Sequence, residues 1–518
     1  MEPDEIAKLD EFLLNGGGEV NYRELFKEKI DGVKDNDIIY MIIAEFITYH
    51  HYYGWLGDKE GEFVKWINGV WHKNVHVAIG RLIRKYLRIA GIKMSGVSKG
   101  DIMERIREEA QLLAYQMNRD TRYINFKNGL LDLETWELQP HDDTEKRAYT
   151  IQIPWDYQEN REAPSKFLDF LYKAFEGDMK QLDLIMKAIG YSLTFEVKFQ
   201  KIIILKDGPE VGKEGKTGKS TLLEVVHSLI GEDNCTSIEL QRLARRFGTM
   251  GLTGKLYNYY PDISTNKAIG DPGKIKILID KMIPYEVKGG GFFEMVNIVK
   301  HWFSTQSMPP VIGLDLAYCR RFIIVIFNRR IPEDELVLDF SETIITDEEE
   351  MKNIISMCVD AYRELVEDNG FSSAQDEYEV MDIIMGETDS VYRFLKERCD
   401  TGGQYEDIQE KVYEAYAEFA KSDGCLDVLK KPQFTADLYS KGFGKGRVNI
   451  KNAEGKRPYT YTGLKLKETQ ATTPKIKVKL TQDVLNLDLG ISLEEECKKE
   501  ILGEDFEDEK DQEMEDTW

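Results

Sequence analysis

A glycine-rich segment that also carries lysine and hydroxyl side chains has the composition of a phosphate-binding loop. It occupies residues 208–221 and ends in Gly215, Lys216, Thr217, Gly218, Lys219, Ser220 and Thr221. Glycine lets backbone N–H groups approach phosphate oxygens closely, and the N-terminus of a following helix favours negative charge. In such a loop the Lys219 ammonium neutralises the β- and γ-phosphates and the Ser220 hydroxyl binds Mg²⁺. The segment therefore predicts a nucleoside triphosphate site with a magnesium ion.

The residues on either side of the loop predict the elements that would hold it. Residues 202–205 are consecutive apolar residues, which is typical of a strand buried on both faces of a parallel sheet. An apolar helix follows in 222–230, and Gly231 would end it. The strict GxxxxGK(S/T) spacing is not met, because Lys213 occupies the first glycine position. We therefore predict a lengthened loop; the alternative is a glycine- and lysine-rich surface loop, which the flanking strand and helix disfavour.

A carboxylate at the end of a second strand would complete the site, because the magnesium ion needs an oxygen ligand there. Residues 256–262 have the pattern of a strand that ends in Asp262. By itself, this match is equally consistent with an aspartate in a turn. Its distance after the loop, however, suits the next strands of an alternating strand–helix array.

Several segments, taken in order, resemble superfamily 3 helicases, specifically the helicase part of phage and plasmid primase-helicases and the related poxvirus NTPase. Residues 125–133 are similar to the family's NGxLDL hairpin, and residues 190–194 to its GYxLT helix ending. Residues 215–221 are similar to its GxNGKST loop, with Thr217 in place of asparagine. The resemblance implies an AAA+ ATPase core that uses ATP and Mg²⁺.

The same resemblance implies roles for residues outside the loop. Asp262 takes the place of the Walker B carboxylate, and Gln306 takes the place of a sensor asparagine before a proline. The Arg320-Arg321 pair matches the element that supplies an arginine finger to the neighbouring subunit of a hexamer. A planar guanidinium aimed at developing phosphate charge gives that pair a physical use; the alternative is a surface arginine pair that opens an edge strand.

Residues 276–288 resemble the stretch that leads into a DNA-contacting hairpin, and Lys288 would be its DNA-contacting lysine. Three glycines and then Phe292 and Phe293 follow it. A cation and aromatic rings around a flexible tip suit phosphate contact and base stacking. The alternative is an ordinary glycine-rich hairpin.

Other local patterns predict the surrounding elements. Periodicity predicts an α-rich segment over the first ~120 residues, with Trp66 and Trp71 before a helical stretch. His72 and His76 have helical i, i+4 spacing, but without a nearby carboxylate we assign no metal to them. Residues 123–133 predict a β-hairpin around an Asn128-Gly129 turn, and 164–194 predict helix ended by Gly190.

The fold class that follows is multidomain α/β: an AAA+ P-loop ATPase core with an α-rich N-terminal domain and a C-terminal winged helix domain, the last resting on resemblance. The expected divisions are an α-rich accessory domain that ends in a β-hairpin (1–140), a helical collar-like segment (141–195), the superfamily 3 ATPase domain (196–335), a helical extension (336–385), a winged-helix DNA-binding domain (386–470) and an acidic, mobile tail (471–518).

Charge is unevenly distributed over the 518 residues. The chain has 69 Lys and Arg against 93 Asp and Glu, for a net charge of −24, which argues against a wholly basic nucleic-acid coat. Residues 494–518 carry 13 acidic and 3 basic residues, and residues 430–467 carry 10 basic and 2 acidic residues. The basic segment predicts DNA binding, with the candidate contacts Lys430, Lys431, Lys445 and Arg447. The tail is predicted to compete with DNA or to dock a replication protein.

The six cysteines are scattered without a CxxC pair, which favours a reducing, cytoplasmic setting over a zinc ribbon or a disulfide framework. The N-terminus lacks a basic region followed by an apolar run, and the most apolar stretch, 38–55, is interrupted by polar residues. We therefore expect no membrane span and no signal segment.

Together these patterns predict an ATP-dependent, hexameric replicative DNA helicase of a virus or plasmid-like element, acting on single-stranded and duplex DNA. The alternative is an ATP-switched origin-binding or loader protein without processive unwinding, and an inactive scaffold is a third interpretation. Stimulation of ATP hydrolysis by single-stranded DNA separates the first two.

Overall fold

The computed structural model describes most of the chain up to residue 467. The described residues are 3–15, 17, 20–57, 61–112, 116–142, 147–159, 161–209, 211, 215–265, 267–269, 272–286, 291–422, 428–447 and 457–467. They divide into two compact units, the first within Met1–Glu397 and Tyr413–Gly442 and the second within Arg398–Val412 and Phe443–Trp518. Lys288 and the acidic tail, 471–518, lie outside the described residues.

The N-terminal part combines five helices with a small sheet. Its elements are α1 (Pro3–Leu14), α2 (Tyr22–Ile30), α3 (Asn36–Tyr49), β1 (Tyr53–Leu56), β2 (Glu62–Ile67), β3 (Val70–His72), α4 (His76–Ile89), α5 (Gly96–Glu109) and β4 (Gln111–Leu112). The strand order is β3-β2-β1-β4. The prediction of an α-rich segment missed this sheet, because strands of two to six residues are too short for their alternation to be recognised. His72 ends β3 and His76 begins α4, so the two do not share a helix face.

A buried polar network lies in the core of this part. The Asp10 carboxylate accepts hydrogen bonds from the Lys65 ammonium at 2.7 Å and from the Tyr53 hydroxyl at 2.6 Å. His51 joins Asp10 to Tyr86, with ring nitrogens 3.0 and 2.9 Å from their oxygens. Burial acts to raise the pKa of Asp10, but the hydrogen bond from His51 and the charge of Lys65 outweigh it, so the pKa is lowered. These hydrogen bonds therefore connect α1 to the small sheet and to α4.

A hairpin and two helices precede the central sheet. They are β5 (Tyr123–Phe126), β6 (Gly129–Asp132), β7 (Leu138–Gln139), α6 (Ser165–Ala174) and α7 (Met179–Ser192). The antiparallel pairing of β5 with β6 confirms the predicted hairpin, although its turn residues are Lys127 and Asn128 rather than Asn128 and Gly129. Asp178 caps α7 by accepting hydrogen bonds from the N–H groups of Lys180 and Gln181, which separates the two helices.

The prediction that Gly190 ends a helix is wrong. Helix α7 continues to Ser192, and Gly190 instead lies where α7 packs against a later helix, α13 (Glu348–Glu367). A Cβ at Gly190 would lie 2.0 Å from the Cys358 carbonyl oxygen and 3.0 Å from the Tyr362 Cβ. The residue is thus glycine because the two helix backbones approach closely.

The central sheet has five parallel strands. Its segment comprises β8 (Ile202–Asp207), α8 (Lys219–Ile230), β9 (Cys235–Thr236), α9 (Leu240–Leu243), β10 (Tyr257–Tyr260), α10 (Pro272–Ile277), β11 (Met282–Glu286), β12 (Phe292–Val296), β13 (Lys300–Thr305), α11 (Leu316–Cys319) and β14 (Phe322–Phe327). The strand order is β14-β8-β13-β10-β9, with every neighbouring pair parallel. Strand β8 and helix α8 are where the sequence predicts them.

Strand β8 is an interior strand of the sheet, and both of its faces are covered. Every residue of β8 is buried. Ile203 and Leu205 belong to the core that includes α7 and α8, whereas Ile202 and Ile204 belong to a second core on the other face of the sheet. Covering both faces fixes the end of β8, and therefore the start of the glycine-rich loop.

The remaining elements are helical and then β-rich. They are α12 (Phe340–Ile345), α13, α14 (Glu377–Thr388), α15 (Ser390–Arg398), β15 (Cys399–Ile408), α16 (Gln409–Ser422), α17 (Lys431–Ser440), β16 (Gly444–Arg447) and β17 (Tyr459–Leu466). In the first unit, aromatic side chains of α15, α16 and α17 pack together, including Phe394, Tyr416 and Phe434. In the second unit, β15, β17 and β16 form an antiparallel sheet in that order.

Among the helices that the structure describes, none has the length and apolar character that a membrane crossing requires.

Candidate nucleotide-binding site

The loop between β8 and α8 has the backbone geometry of an anion site. Gly215, Lys216 and Gly218 have positive φ angles of 65°, 61° and 95°. Helix α8 begins at Lys219 without a side-chain cap, so the first N–H groups of the helix remain available to an external acceptor. A Cβ at Gly218 would lie 2.7 Å from Phe170 Cε2, so both conformation and space require glycine there. The N-terminus of α8 can therefore bind a phosphate group.

Lys219 is held by a carboxylate that the sequence analysis did not single out. Its ammonium forms an ion pair with Asp207, the last residue of β8, and lies 3.1 Å from Thr217 Oγ1. The Thr217 hydroxyl in turn donates to Asp207 Oδ1 at 2.7 Å. Asp207 is only 2% exposed, and its Oδ2 has no hydrogen-bond partner within the described part of the chain. The signal in the sequence was an acidic residue at the end of a buried apolar strand.

Asp262 and Gln306 lie at the same edge of the sheet as this loop. Asp262 follows β10 by two residues, has a φ of 60°, and donates its backbone N–H to Ser304 Oγ at 3.1 Å. Gln306 directly follows β13, the strand between β10 and β8, and its side chain is exposed. The carboxyl ends of parallel strands meet at one sheet edge, so the fold brings together the loop, the carboxylate and the amide.

The oxygen donors at this edge fit a magnesium ion. Ser220, in the first turn of α8, and Asp262 are both exposed, and neither side-chain oxygen makes a hydrogen bond or an ion pair within the residues that the structure describes. Mg²⁺ is typically held by one or two protein oxygens together with phosphate oxygens and water. The described residues contain no cluster of three or more His, Cys, Asp or Glu side chains suited to a metal. Ser220 and Asp262 would thus hold the ion together with the nucleotide.

Arg320 and Arg321 lie at the opposite edge of the sheet. Arg321 directly precedes β14, and its carbonyl accepts a hydrogen bond from the Ile202 N–H at the start of β8. At ~3.3 Å per strand residue, the length of β8 puts the arginines roughly 15–20 Å from the loop. Neither arginine is therefore placed to reach a nucleotide bound to the loop of its own chain.

The hairpin expected after residue 276 is present. Strands β11 and β12 are antiparallel, with Glu286 opposite Phe292. Phe292 is part of β12 rather than of the tip, which is a correction to the predicted arrangement. Lys288 lies outside the described residues, so its contact with DNA stays a prediction.

A cation–aromatic group lies on the sheet of the second unit. Lys445 and Arg447 are exposed and alternate along β16, so they share one face. Their cationic groups lie 4.3 and 4.4 Å from the ring centroid of Tyr459. The hydrogen bond from Arg447 and the nearby positive charges lower the pKa of the Tyr459 hydroxyl. This face can contact nucleic acid through phosphate pairing and base stacking.

In the first unit, Lys430 and Lys431 stand at the start of α17. Lys430 is exposed and Lys431 is half-buried. Their contact with DNA stays a prediction.

A second group that the sequence analysis missed connects the sheet edge to α14. The buried Lys206 ammonium pairs with Glu387 and donates to the Asp207 carbonyl at 2.7 Å. Glu387 Oε2 also accepts a hydrogen bond from the Met308 N–H at 2.6 Å, two residues after Gln306. Glu387 therefore links the ends of β8 and β13 to the helical segment that precedes α15.

Comparison with known proteins gives two partial family matches and several similar solved structures. Residues 42–176 match the family described as "D5 N terminal like", and residues 211–321 match a family of unknown function, DUF5906. Two solved structures of the NrS-1 C-terminal region in its apo form are each 12% identical to this chain. The first has a TM-score of 0.45, and the match covers 81% of this protein and 98% of the solved structure. The second has a TM-score of 0.46, and the match covers 83% of this protein and 99% of the solved structure.

Proposed function

We propose that this protein is an ATP-driven, hexameric replicative DNA helicase of a virus or plasmid-like element, which translocates on single-stranded DNA and unwinds duplex DNA. The observation that carries the proposal is the strand order β14-β8-β13-β10-β9. This order brings the loop after β8, Asp262 after β10 and Gln306 after β13 to one edge. The arrangement supports the AAA+ superfamily 3 core that the sequence resemblance implies, and the "D5 N terminal like" match supports a primase-helicase relationship.

In the proposed mechanism, ATP binds on the loop with its phosphates at the N-terminus of α8. The ATP-binding residues are Gly215, Lys216, Thr217, Gly218, Lys219, Ser220 and Thr221. Lys219 would neutralise phosphate charge, Ser220 and Asp262 would hold Mg²⁺, and the Gln306 amide would contact the γ-phosphate or the attacking water. Held by these two side chains, a magnesium ion would add charge neutralisation at the transferring phosphate.

The arginine that completes the site comes from the neighbouring subunit of the hexamer. The separation of Arg320 and Arg321 from their own loop supports this assignment, because an arginine finger must touch the transferring phosphate. Ring assembly is then required for hydrolysis. A mass measurement with and without ATP and DNA tests it: a hexamer supports the proposal, and a monomer under every condition contradicts it.

DNA binding is assigned to two regions of the chain. Lys288, with Phe292 at the base of the same hairpin, would contact single-stranded DNA in the ring. Lys430, Lys431, Lys445 and Arg447 would contact DNA from the proposed winged-helix domain. The element order α15-β15-α16-α17-β16-β17 and the antiparallel sheet support this domain, as does the group of cations around Tyr459.

The test is ATP hydrolysis with and without single-stranded DNA, together with unwinding of a forked duplex. Lys219→Ala should lower turnover by at least roughly 100-fold, because it removes a charge that stabilises the transition state. The matched control is Lys173→Ala, which removes an exposed lysine paired with Asp169 on α6 and should leave turnover unchanged. Near-normal turnover in Lys219→Ala would exclude the phosphate-loop assignment. Hydrolysis that DNA does not stimulate, with the fork still annealed, would instead favour an ATP-switched origin-binding or loader protein.

A further inference from the structure

The ammonium that nucleotide phosphates require is already engaged by a protein carboxylate. Lys219 is paired with Asp207, and its side chain is only 11% exposed. Thr217, also in the loop, donates its hydroxyl to the same carboxylate oxygen. Asp207 therefore holds the side chains of Lys219 and Thr217 at the end of β8.

Asp207 is anchored to the central sheet through its backbone. It is the last residue of β8 and is paired with Phe327 of β14. Its carbonyl also accepts the hydrogen bond from the buried Lys206 ammonium. The backbone of Asp207 is thus fixed on the sheet, so the carboxylate stays at the end of β8, and the lysine is the partner that changes contact when a phosphate binds.

Phosphate and Asp207 compete for the same cation. A buried carboxylate that loses its counter-ion is strongly destabilised, and Asp207 Oδ2 already lacks a hydrogen-bond partner among the described residues. An incoming phosphate would also be repelled by the Asp207 charge. Binding of a nucleotide must therefore overcome the ion pair, and loss of the nucleotide restores it.

We propose that Asp207 is a positioning residue that holds Lys219 in the nucleotide-free protein, weakens the binding of nucleotides whose phosphates reach the loop, and thereby favours release of the product nucleotide. This inference rests on the proposed nucleotide site. Asp207 acts through Lys219 rather than by touching the reacting phosphate.

The test compares nucleotide affinities of Asp207→Asn and the wild-type protein in the absence of divalent metal. ATP and ADP should bind roughly tenfold more tightly to Asp207→Asn, because the variant keeps the shape of the side chain but releases the lysine. Adenosine, which has no phosphate, should bind equally to both. Asp207→Ser, which is also neutral and keeps an oxygen for Thr217, should give the same pattern and covers the case in which Asp207→Asn does not fold.

The matched control is Glu333→Gln, which removes the same charge from a carboxylate 3.7 Å from Lys216 of the same loop but 82% exposed. Because exposed ion pairs are weak, the Glu333→Gln variant should bind ATP with an affinity within about twofold of the wild-type protein. An equal increase in ATP affinity for Asp207→Asn and Glu333→Gln would overturn the inference, because the loss of one negative charge would then explain both. Weaker ATP binding in Asp207→Asn would also overturn it and would make Asp207 a group that supports Lys219 in the bound state.

A measurement without nucleotide separates this inference from the proposed function. Amide hydrogen exchange of residues 215–221 should be faster in Asp207→Asn than in the wild-type protein and unchanged in Glu333→Gln. If no variant binds any nucleotide but this difference is present, the nucleotide site is wrong and the restraint by Asp207 stands. If exchange does not differ while ATP binds, the nucleotide site stands and the restraint is wrong.

Discussion

Arg320 and Arg321 are adjacent in the chain, but their guanidinium groups differ in surroundings. The Arg321 guanidinium donates to the Ala317 carbonyl. Burial lowers the pKa of Arg321, and the charge of Arg320 adds to that effect. The Arg320 side chain is exposed. Under the proposed function, Arg320 is therefore the better candidate to enter the site of a neighbouring subunit, whereas Arg321 secures the start of β14.

We expect Arg320→Ala to keep ATP binding and to lower turnover by roughly 1,000-fold, the lower end of the effect of an arginine finger. Arg321→Ala should mainly lower the melting temperature, because it removes the contact with Ala317. Steady-state hydrolysis, nucleotide binding and thermal unfolding of both variants check this division.

Mixed rings provide the control for action between subunits. Subunits carrying Arg320→Ala, mixed with subunits carrying Asp262→Asn, should regain part of the hydrolysis at interfaces that combine one intact copy of each residue. No recovery on mixing, with mixed rings shown to form, would contradict a role for Arg320 in the neighbouring site.

At the scale of elements, the contact between α7 and α13 supports one side of the central sheet. Gly190 lies directly against the backbone of α13, where a Cβ would overlap the Cys358 carbonyl oxygen. Gly100 is also inside a helix, α5, but a Cβ there meets nothing within 4 Å. The two glycines differ in what surrounds them, although both are helical.

Gly190→Ala should lower the free energy of unfolding by about 2 kcal/mol or more, because the added methyl group forces the two helices apart. Gly100→Ala should raise it by about 0.5–1 kcal/mol through the higher helix propensity of alanine. Denaturant unfolding of both variants measures the two changes in the free energy of unfolding. Similar effects of the two substitutions would show that close packing does not explain Gly190.

At the scale of the whole molecule, burial lowers the pKa of several histidines. The affected residues are His50, His51, His72, His227 and His301. The pKa of His301 is lowered to about 4, first by burial and then by the charge of Lys300, although a backbone hydrogen bond opposes the shift. In the unfolded chain a histidine has a pKa of about 6.5, so the unfolded state binds more protons below that pH. The stability from these residues is complete above pH 6.5 and is lost as the pH falls towards their folded pKa values.

The free energy of unfolding should therefore fall as the pH is lowered from 7 to 5. His301 alone should contribute roughly 2 kcal/mol of that loss, at about 1.4 kcal/mol per pH unit below 6.5. Denaturant unfolding across this range measures the slope, and His301→Gln should reduce it. An equal slope in His301→Gln and the wild-type protein would exclude His301 as a source of the pH dependence.

The acidic tail, residues 494–518, and the basic segment, residues 430–467, carry opposite charges. Residues 494–518 have 13 acidic and 3 basic residues, against 10 basic and 2 acidic residues in 430–467. Deleting the residues after Ser492 should tighten duplex DNA binding at low salt, with a difference that shrinks as salt rises, because screening weakens the tail and the phosphate contacts alike. DNA-binding titrations over a range of ionic strength check it. Unchanged affinity at every salt concentration would favour docking of a replication protein, with Phe506 and Trp518 as contacts.

The sequence by itself determined the features whose signals are local. The consecutive isoleucines of β8, the glycines of the loop and the apolar spacing of α8 each depend on residues close together in the chain. Asp262 could be placed at the end of a strand because residues 256–261 form a short pattern of their own, whereas Gln306 was placed only through the family resemblance. The hairpin of β5 and β6 was likewise predictable, apart from its exact turn residues.

Only the tertiary structure decided which of these features meet. Strand order determines that the ends of β8, β13 and β10 share an edge, and strand order depends on contacts between distant residues. The pairing of Lys219 with Asp207 needed the loop to fold back on β8, and the difference between Arg320 and Arg321 depended on which guanidinium reached Ala317. Gly190 was assigned to a helix end because its partner, α13, lies more than 150 residues later in the chain, and no local pattern records a contact of that range.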